Sequence, residues 1–237
     1  MNIKIIFDAT AINDQFKTGW GFSCLINDNI LFDTGDNGAA MVHNLNLMGV
    51  TDIKKIILSH QHYDHVGGLW DVLAMSHDKI SVYGCPNFHA KFKEKVVAHR
   101  ANFIAVEAFQ EIEPNIFTTG EMSGVYKEFI VLEQSLVLKT ARGLVVVTGC
   151  AHAEITSIVR RVQTNFPQDH IYVVLGGFHL YEKSISEITN VFKSLQVLGV
   201  EKIAPIHCTG DQAKEIGKKY FGGNIIDIRA GEALVLE

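Results

Sequence analysis

The run Ser59-His60-Gln61-His62-Tyr63-Asp64-His65-Val66-Gly67-Gly68 puts three imidazoles and a carboxylate within six positions. Imidazole nitrogen and carboxylate oxygen together suit zinc, iron or manganese. In an extended segment His60 and His62 point to the same side and can grip one cation. Asp64 and His65, just past the end of a strand, can turn toward a second. Gly67 and Gly68 then let the chain leave in a tight turn that a side chain would obstruct. A polar loop merely rich in histidine is the plain competitor.

Such a loop needs rigid elements on either side. Residues 54–58 are an apolar run that reads as a buried strand, and a helix-like segment begins at Leu69. Upstream, residues 2–9 alternate as a first strand, while 21–27 and 30–32 flank Asn27-Asp28-Asn29 as a hairpin. That hairpin ends in Asp33-Thr34-Gly35, and Gly38 opens a helix with Met41, Leu45 and Met48 at helical spacing. Downstream come a strand at 80–83 and a helix over 88–100, whose Lys91, Lys93 and Lys95 read as a solvated face. Residues 102–124 are the least regular part; His99 and Glu121 near them read as surface residues. Residues 128–138 and 143–148 look like paired strands. Strands at 171–175 and 202–206, helices over 184–198 and 211–220, and strands near Ile225 and Leu234 follow. Strands and helices in two similar halves favour an α+β fold, an αββα sandwich of two mixed β-sheets packed face to face with helices on both outer faces. With no linker or short repeat, residues 1–237 read as a single domain.

Composition narrows the partners. With 237 residues and 47% hydrophobic content the chain can bury a full core. Twenty-one basic against 26 acidic residues imply no broad polyanion-binding face, so nucleic acid is not expected. No apolar run approaches membrane-spanning length, and no basic, then apolar, leader stands at the N-terminus. Cys24, Cys85, Cys150 and Cys208 are widely spaced without a C-x-x-C pair, which points to a reducing, cytoplasmic setting. A small-molecule substrate is the expected partner; oligomeric state stays open.

The pattern His60-x-His62-x-Asp64-His65 after a strand, with later single histidines at strand ends, resembles the metallo-β-lactamase fold superfamily of metal-dependent hydrolases. Thr148-Gly149-Cys150-Ala151-His152, Leu175-Gly176-Gly177-Phe178-His179-Leu180 and Ile206-His207-Cys208-Thr209-Gly210 are similar to its branch of 7,8-dihydropterin-6-methyl-4-(β-D-ribofuranosyl)aminobenzene-5′-phosphate synthases. The resemblance implies that Asp33 braces the histidine loop by hydrogen bonding and that the 102–124 segment covers the site. Placed directly after a buried strand, His152 would complete a three-histidine first site with His60 and His62. His207, at the end of strand 202–206, would join Asp64 and His65 at the second. Many members carry a bridging aspartate between those two late histidines. Here the corresponding strand end reads Gly176-Gly177-Phe178-His179, so either His179 replaces that ligand or hydroxide alone bridges the ions; His179 reads as a ligand or substrate contact, with a structural histidine as the competitor. Neutral imidazole relieves cation repulsion less than carboxylate, so the second site is expected to be the weaker. Strand alternation directs Cys150 and Cys208 away from the histidines, into packing.

Two divalent cations, zinc first and manganese, iron or magnesium as alternatives, would activate water for hydrolysis of an ester-, lactone- or phosphodiester-type small molecule. Asp64 and His179 are the candidate catalytic residues. The branch implies a second chemistry, in which a pterin-methyl diphosphate loses pyrophosphate to an aminobenzene-ribosyl phosphate and metal clamps the leaving group. A non-catalytic binding protein that keeps metal for structure is the third reading; single-iron dioxygenase and di-iron oxygen reductase are minor ones.

Overall fold

In the computed structural model, which describes residues 1–76 and 78–236, the alternating N-terminal run forms strand β1 (Asn2–Phe7). Asn27 and Asp28 take left-handed backbone conformations in the turn that joins β2 (Ser23–Ile26) to β3 (Ile30–Phe32) as the expected hairpin. Helix α1 (Gly38–Leu47) starts where the Asn37 side chain accepts from Ala40 N–H at 3.0 Å. Strand β4 (Lys55–Ile57) leads to a one-turn helix α2 (Tyr63–Val66) and then α3 (Leu69–Met75). Strand β5 (Ser81–Gly84), helix α4 (Ala90–Ala98) and strand β6 (Asn102–Ala105) complete the series. The final strand, Ala233–Val235, returns to pair with β1. Together they make a seven-stranded mixed sheet, antiparallel from the final strand to β3 and parallel from β3 to β6. Met41, Leu45, Leu69, Val72 and Val96 of its helices pack on Leu31, Ile56 and Val82 of its strands. These elements form the first of two compact units, Met1–Glu107 with Ile228–Leu236.

The second unit runs from Ala108 to Asp227. Its strands β7 (Gln110–Glu113) and β8 (Ile116–Thr118) are followed by a separate two-stranded hairpin, β9 (Met122–Tyr126) and β10 (Phe129–Glu133). Strands β11 (Leu136–Thr140) and β12 (Gly143–Thr148) pair antiparallel. Helix α5 (Ile155–Asn165), strand β13 (Ile171–Gly177), helix α6 (Ile185–Val197), strand β14 (Lys202–Ile206) and helix α7 (Asp211–Phe221) follow. The sheet order is β14-β13-β12-β11-β8-β7, parallel over its first three strands. Ser184 and Glu187 form a reciprocal capping box at the start of α6. Pro205, which cannot donate to a ladder, sits on the edge strand β14. Ile158, Val159 and Val162 of α5, Phe192 of α6 and Ile216 of α7 pack on Val146, Val174 and Ile203.

Two mixed sheets with helices give the α+β class read from the sequence. Three stretches differ. Residues 102–124, expected to be irregular, hold β6, β7, β8 and the start of β9. The 128–138 run is two strands, not one, and β10 pairs with β9 instead of β12. Ile225 makes only a single bridge to Ile203. Glu-rich β7 and the short polar strands around it carry too few apolar alternations to announce themselves. Among the described residues, no helix is long and apolar enough to cross a membrane.

Candidate metal centre

β3 and β4 run parallel with Phe32 opposite Ile57, so the residues leaving each strand emerge side by side. Asp33 leaves β3 in the left-handed region, at φ 56°. Its fully buried carboxylate accepts from Ser59 N–H at 2.7 Å, from Ser59 O–H at 2.7 Å and from His65 Nδ1 at 2.6 Å. Asp33 therefore does brace the loop. These bonds also fix a tautomer. A carboxylate only accepts, so Ser59 Oγ gives its one proton to Asp33 and accepts from His60 Nδ1 at 2.8 Å. His60 thus carries its proton on Nδ1 and presents the Nε2 lone pair to His62 Nδ1, 3.0 Å away. Two nitrogens on one tetrahedral zinc stand about 3.3 Å apart, given Zn–N distances of about 2.0–2.1 Å. This pair fits a shared cation.

Helix α2 is a further element that the sequence did not reveal. It carries Asp64 and His65 on one turn, with Asp64 Oδ2 3.5 Å from His65 Nε2. Burial works against the His65 imidazolium, but the carboxylates of Asp33 and Asp64 outweigh it and raise its pKa to about 10. A cation at Nε2 would have to displace that proton. The exit through Gly67 and Gly68 is tight for a steric reason: a Cβ on Gly68 would lie 2.2 Å from the Thr34 carbonyl oxygen. Its backbone, at φ −82°, is ordinary.

In the second unit three adjacent parallel strands end level. Thr148 stands opposite Gly176, and Gly177 opposite Ile206. The chain leaving β12 carries His152, that leaving β13 carries His179, and that leaving β14 carries His207. Ala151, Glu154, His179 and His207 all have φ between 50° and 65°. Non-glycine residues held there cost about 1–3 kcal/mol each, strain that clusters at functional sites. The His152 and His179 rings are 4.4 Å apart, and Tyr126 stands 5.5 and 5.2 Å from them. Tyr181 flanks His179 at 5.6 Å.

The cysteines overturn the expectation from alternation. Cys150 Sγ lies 3.4 Å from His207 Nε2, and ligand atoms of Cys150, His179 and Cys208 all fall within 4.8 Å of one another. β12 stops at Thr148 and β14 at Ile206, so by Cys150 and Cys208 the backbone is no longer extended and alternation has lapsed. Burial pushes the Cys208 thiol up, yet Cys150, His207 and His179 around it bring its pKa well below the usual value. A side chain on Gly177 would meet Cys208 Sγ at 2.6 Å.

Two supports were missed entirely. Buried Glu133 of β10 accepts from Ala153 N–H at 2.9 Å, next to His152. A Cβ on Gly124 of β9 would lie 2.2 Å from the His152 carbonyl carbon. The one available signal was an acid at the same parity as Val131 in an otherwise apolar run. A cavity of about 750 Å³ opens beside these groups, lined by Gly124, His152, Ser157, His179, Lys183 and Asn190 among others. That volume suits a small molecule.

A family model of the metallo-beta-lactamase superfamily matches residues 23–154, which take in Asp33, the histidine loop and His152. The chain belongs to this superfamily. It is 29% identical to a 7,8-dihydropterin-6-methyl-4-(beta-D-ribofuranosyl)-aminobenzene-5′-phosphate synthase of Methanocaldococcus jannaschii, over 98% of this chain and 96% of that protein. An uncharacterized protein of the same archaeon is 31% identical over 89% of this chain and 91% of its own length. Among solved structures, a metal-dependent hydrolase of the beta-lactamase superfamily superposes with a TM-score of 0.85 at 31% identity, covering 100% of both chains.

Proposed function

We propose that this superfamily member is a metal-dependent hydrolase of a small ester, lactone or phosphodiester. In this reading His60, His62 and His152 hold one divalent cation, zinc first among them, and Asp64, His65 and His207 hold a second. The observation that carries it is the His60 Nε2 to His62 Nδ1 approach of 3.0 Å, with the His60 tautomer fixed by Ser59. The solved hydrolase, similar along the whole chain, supports the reaction class. A pair of divalent cations supplies a Lewis acid and brings the pKa of water toward neutrality.

The chain's own groups do the rest. Asp33 holds His65 and Ser59 in place. Asp64, part-exposed at the start of α2, orients the attacking water and takes its proton at a carboxylate oxygen. His179, half-buried between Tyr126 and Tyr181, meets the substrate in the adjoining cavity. We take residues 1–237 to work as one functional domain.

A second reading has its own support. The synthase relative, similar over nearly the full chain, favours joining a pterin-methyl diphosphate to an aminobenzene-ribosyl phosphate. Product analysis separates the two: isotope from labelled water appearing in a cleaved product supports the hydrolase, and a coupled pteridine–arylamine product supports the transferase. His62→Ala is expected to lose one equivalent of bound metal, read by elemental analysis, and turnover with it. Full turnover by protein stripped of metal would end both readings.

A further inference from the structure

We infer that the Cys150 thiolate, carried by the chain leaving β12, is a metal ligand bound to the same cation as His207. The inference deepens the two-cation reading above and rests on it.

Cys150 Sγ and His207 Nε2 are 3.4 Å apart, and both residues are buried. Sulfur and nitrogen sharing a tetrahedral zinc stand about 3.6 Å apart, from Zn–S of about 2.3 Å and Zn–N of about 2.0–2.1 Å. The thiol is held there by backbone. Ala151, in the left-handed region at φ 63°, turns the chain directly after Cys150, and His207 at φ 51° turns it on the facing strand end. Cys208 adds to the arrangement, its Sγ contacting the Cys150 carbonyl oxygen at 3.6 Å.

The chemistry follows from charge and softness. Binding exchanges the thiol proton for the cation: Cys–SH and a divalent ion give the metal thiolate, and the proton leaves to solvent. A thiolate carries the negative charge that imidazole lacks, so His179 need not replace a bridging acid. It also sets the metal. Sulfur selects zinc, cobalt, cadmium or iron over magnesium and disfavours manganese. A centre so built suits water activation better than a magnesium clamp on a leaving diphosphate.

Cobalt loading of the whole protein tests this without any substrate. The expected result is two equivalents of cobalt and a strong near-ultraviolet thiolate-to-cobalt charge-transfer band. In Cys150→Ser the band is lost while one equivalent stays bound; in Cys208→Ser it persists. Two equivalents of cobalt with no band overturns thiolate ligation and leaves the two-cation reading standing. One equivalent with the band retains the thiolate and removes the cation assigned to His60, His62 and His152, overturning the two-cation reading alone. A band that survives Cys150→Ser and vanishes in Cys208→Ser overturns the assignment to Cys150. Should Cys150→Ser not fold, cadmium against magnesium competition on the native protein decides: displacement of cadmium by equimolar magnesium would refute the inference.

Discussion

Removing the Asp33 carboxylate would leave Ser59 N–H, Ser59 O–H and the His65 ring without their common acceptor, all of them buried. Asp33→Asn keeps the shape, and asparagine tolerates the left-handed backbone that position 33 needs. Its one oxygen can take the place of Oδ2, facing Ser59 O–H and His65, or of Oδ1, facing Ser59 N–H, and either way the amide NH2 is set against a donor. Metal affinity should fall about 10–100-fold with the fold retained, the range usual for groups that orient ligands. Calorimetric titration of zinc into the two proteins measures it, and equal affinities would remove Asp33 from the site. The histidine loop was legible because three imidazoles and a carboxylate fall within six positions, a local signal of composition and spacing. Cys150 was not legible. Alternation predicts a side chain's direction only while the strand lasts, and β12 ends two residues too early.

At the scale of elements, the β9–β10 hairpin is tied to the His152 turn at two points, Glu133 and Gly124. Gly124→Ala puts a methyl into backbone that has no room for it. Thermal unfolding should show a loss of about 1–3 kcal/mol. Glu133→Ala leaves Ala153 N–H without its acceptor and frees the turn that carries His152. Metal affinity at the first site should drop about 10–100-fold, more than in Glu133→Gln, whose amide oxygen still accepts. Identical affinities for the alanine and glutamine variants would mean that the hairpin does not position His152. Its tip shows Val125, Phe129 and Ile130 to solvent. The covering segment expected at 102–124 thus belongs partly elsewhere: residues 102–105 join the first sheet, and the hairpin over 122–133 lies against the cavity. Strand partners cannot be read from a short polar run, because pairing is chosen by non-local contacts.

At the scale of the whole molecule, bound metal should stabilise the folded chain against unfolding. Zinc at about a hundred times its dissociation constant contributes about 2.7 kcal/mol. For a chain of this size that is a rise of roughly 5–10 °C in Tm, reversed by chelator. Differential scanning calorimetry reads the shift, and no difference between loaded and stripped protein would argue against metal held by folded structure. By itself the sequence determined the α+β class, the main strands and helices and the histidine loop, which follow from local periodicity and from chemistry packed into a few positions; the bracing role of Asp33 came from the family resemblance. Only the tertiary structure decided that three parallel strands deliver His152, His179 and His207 at one level. It alone set Cys150 against His207 and locked the His152 turn with a glycine and a buried glutamate. Those placements depend on strand register and on backbone turning into the left-handed region, which distant contacts impose and no neighbouring residue announces.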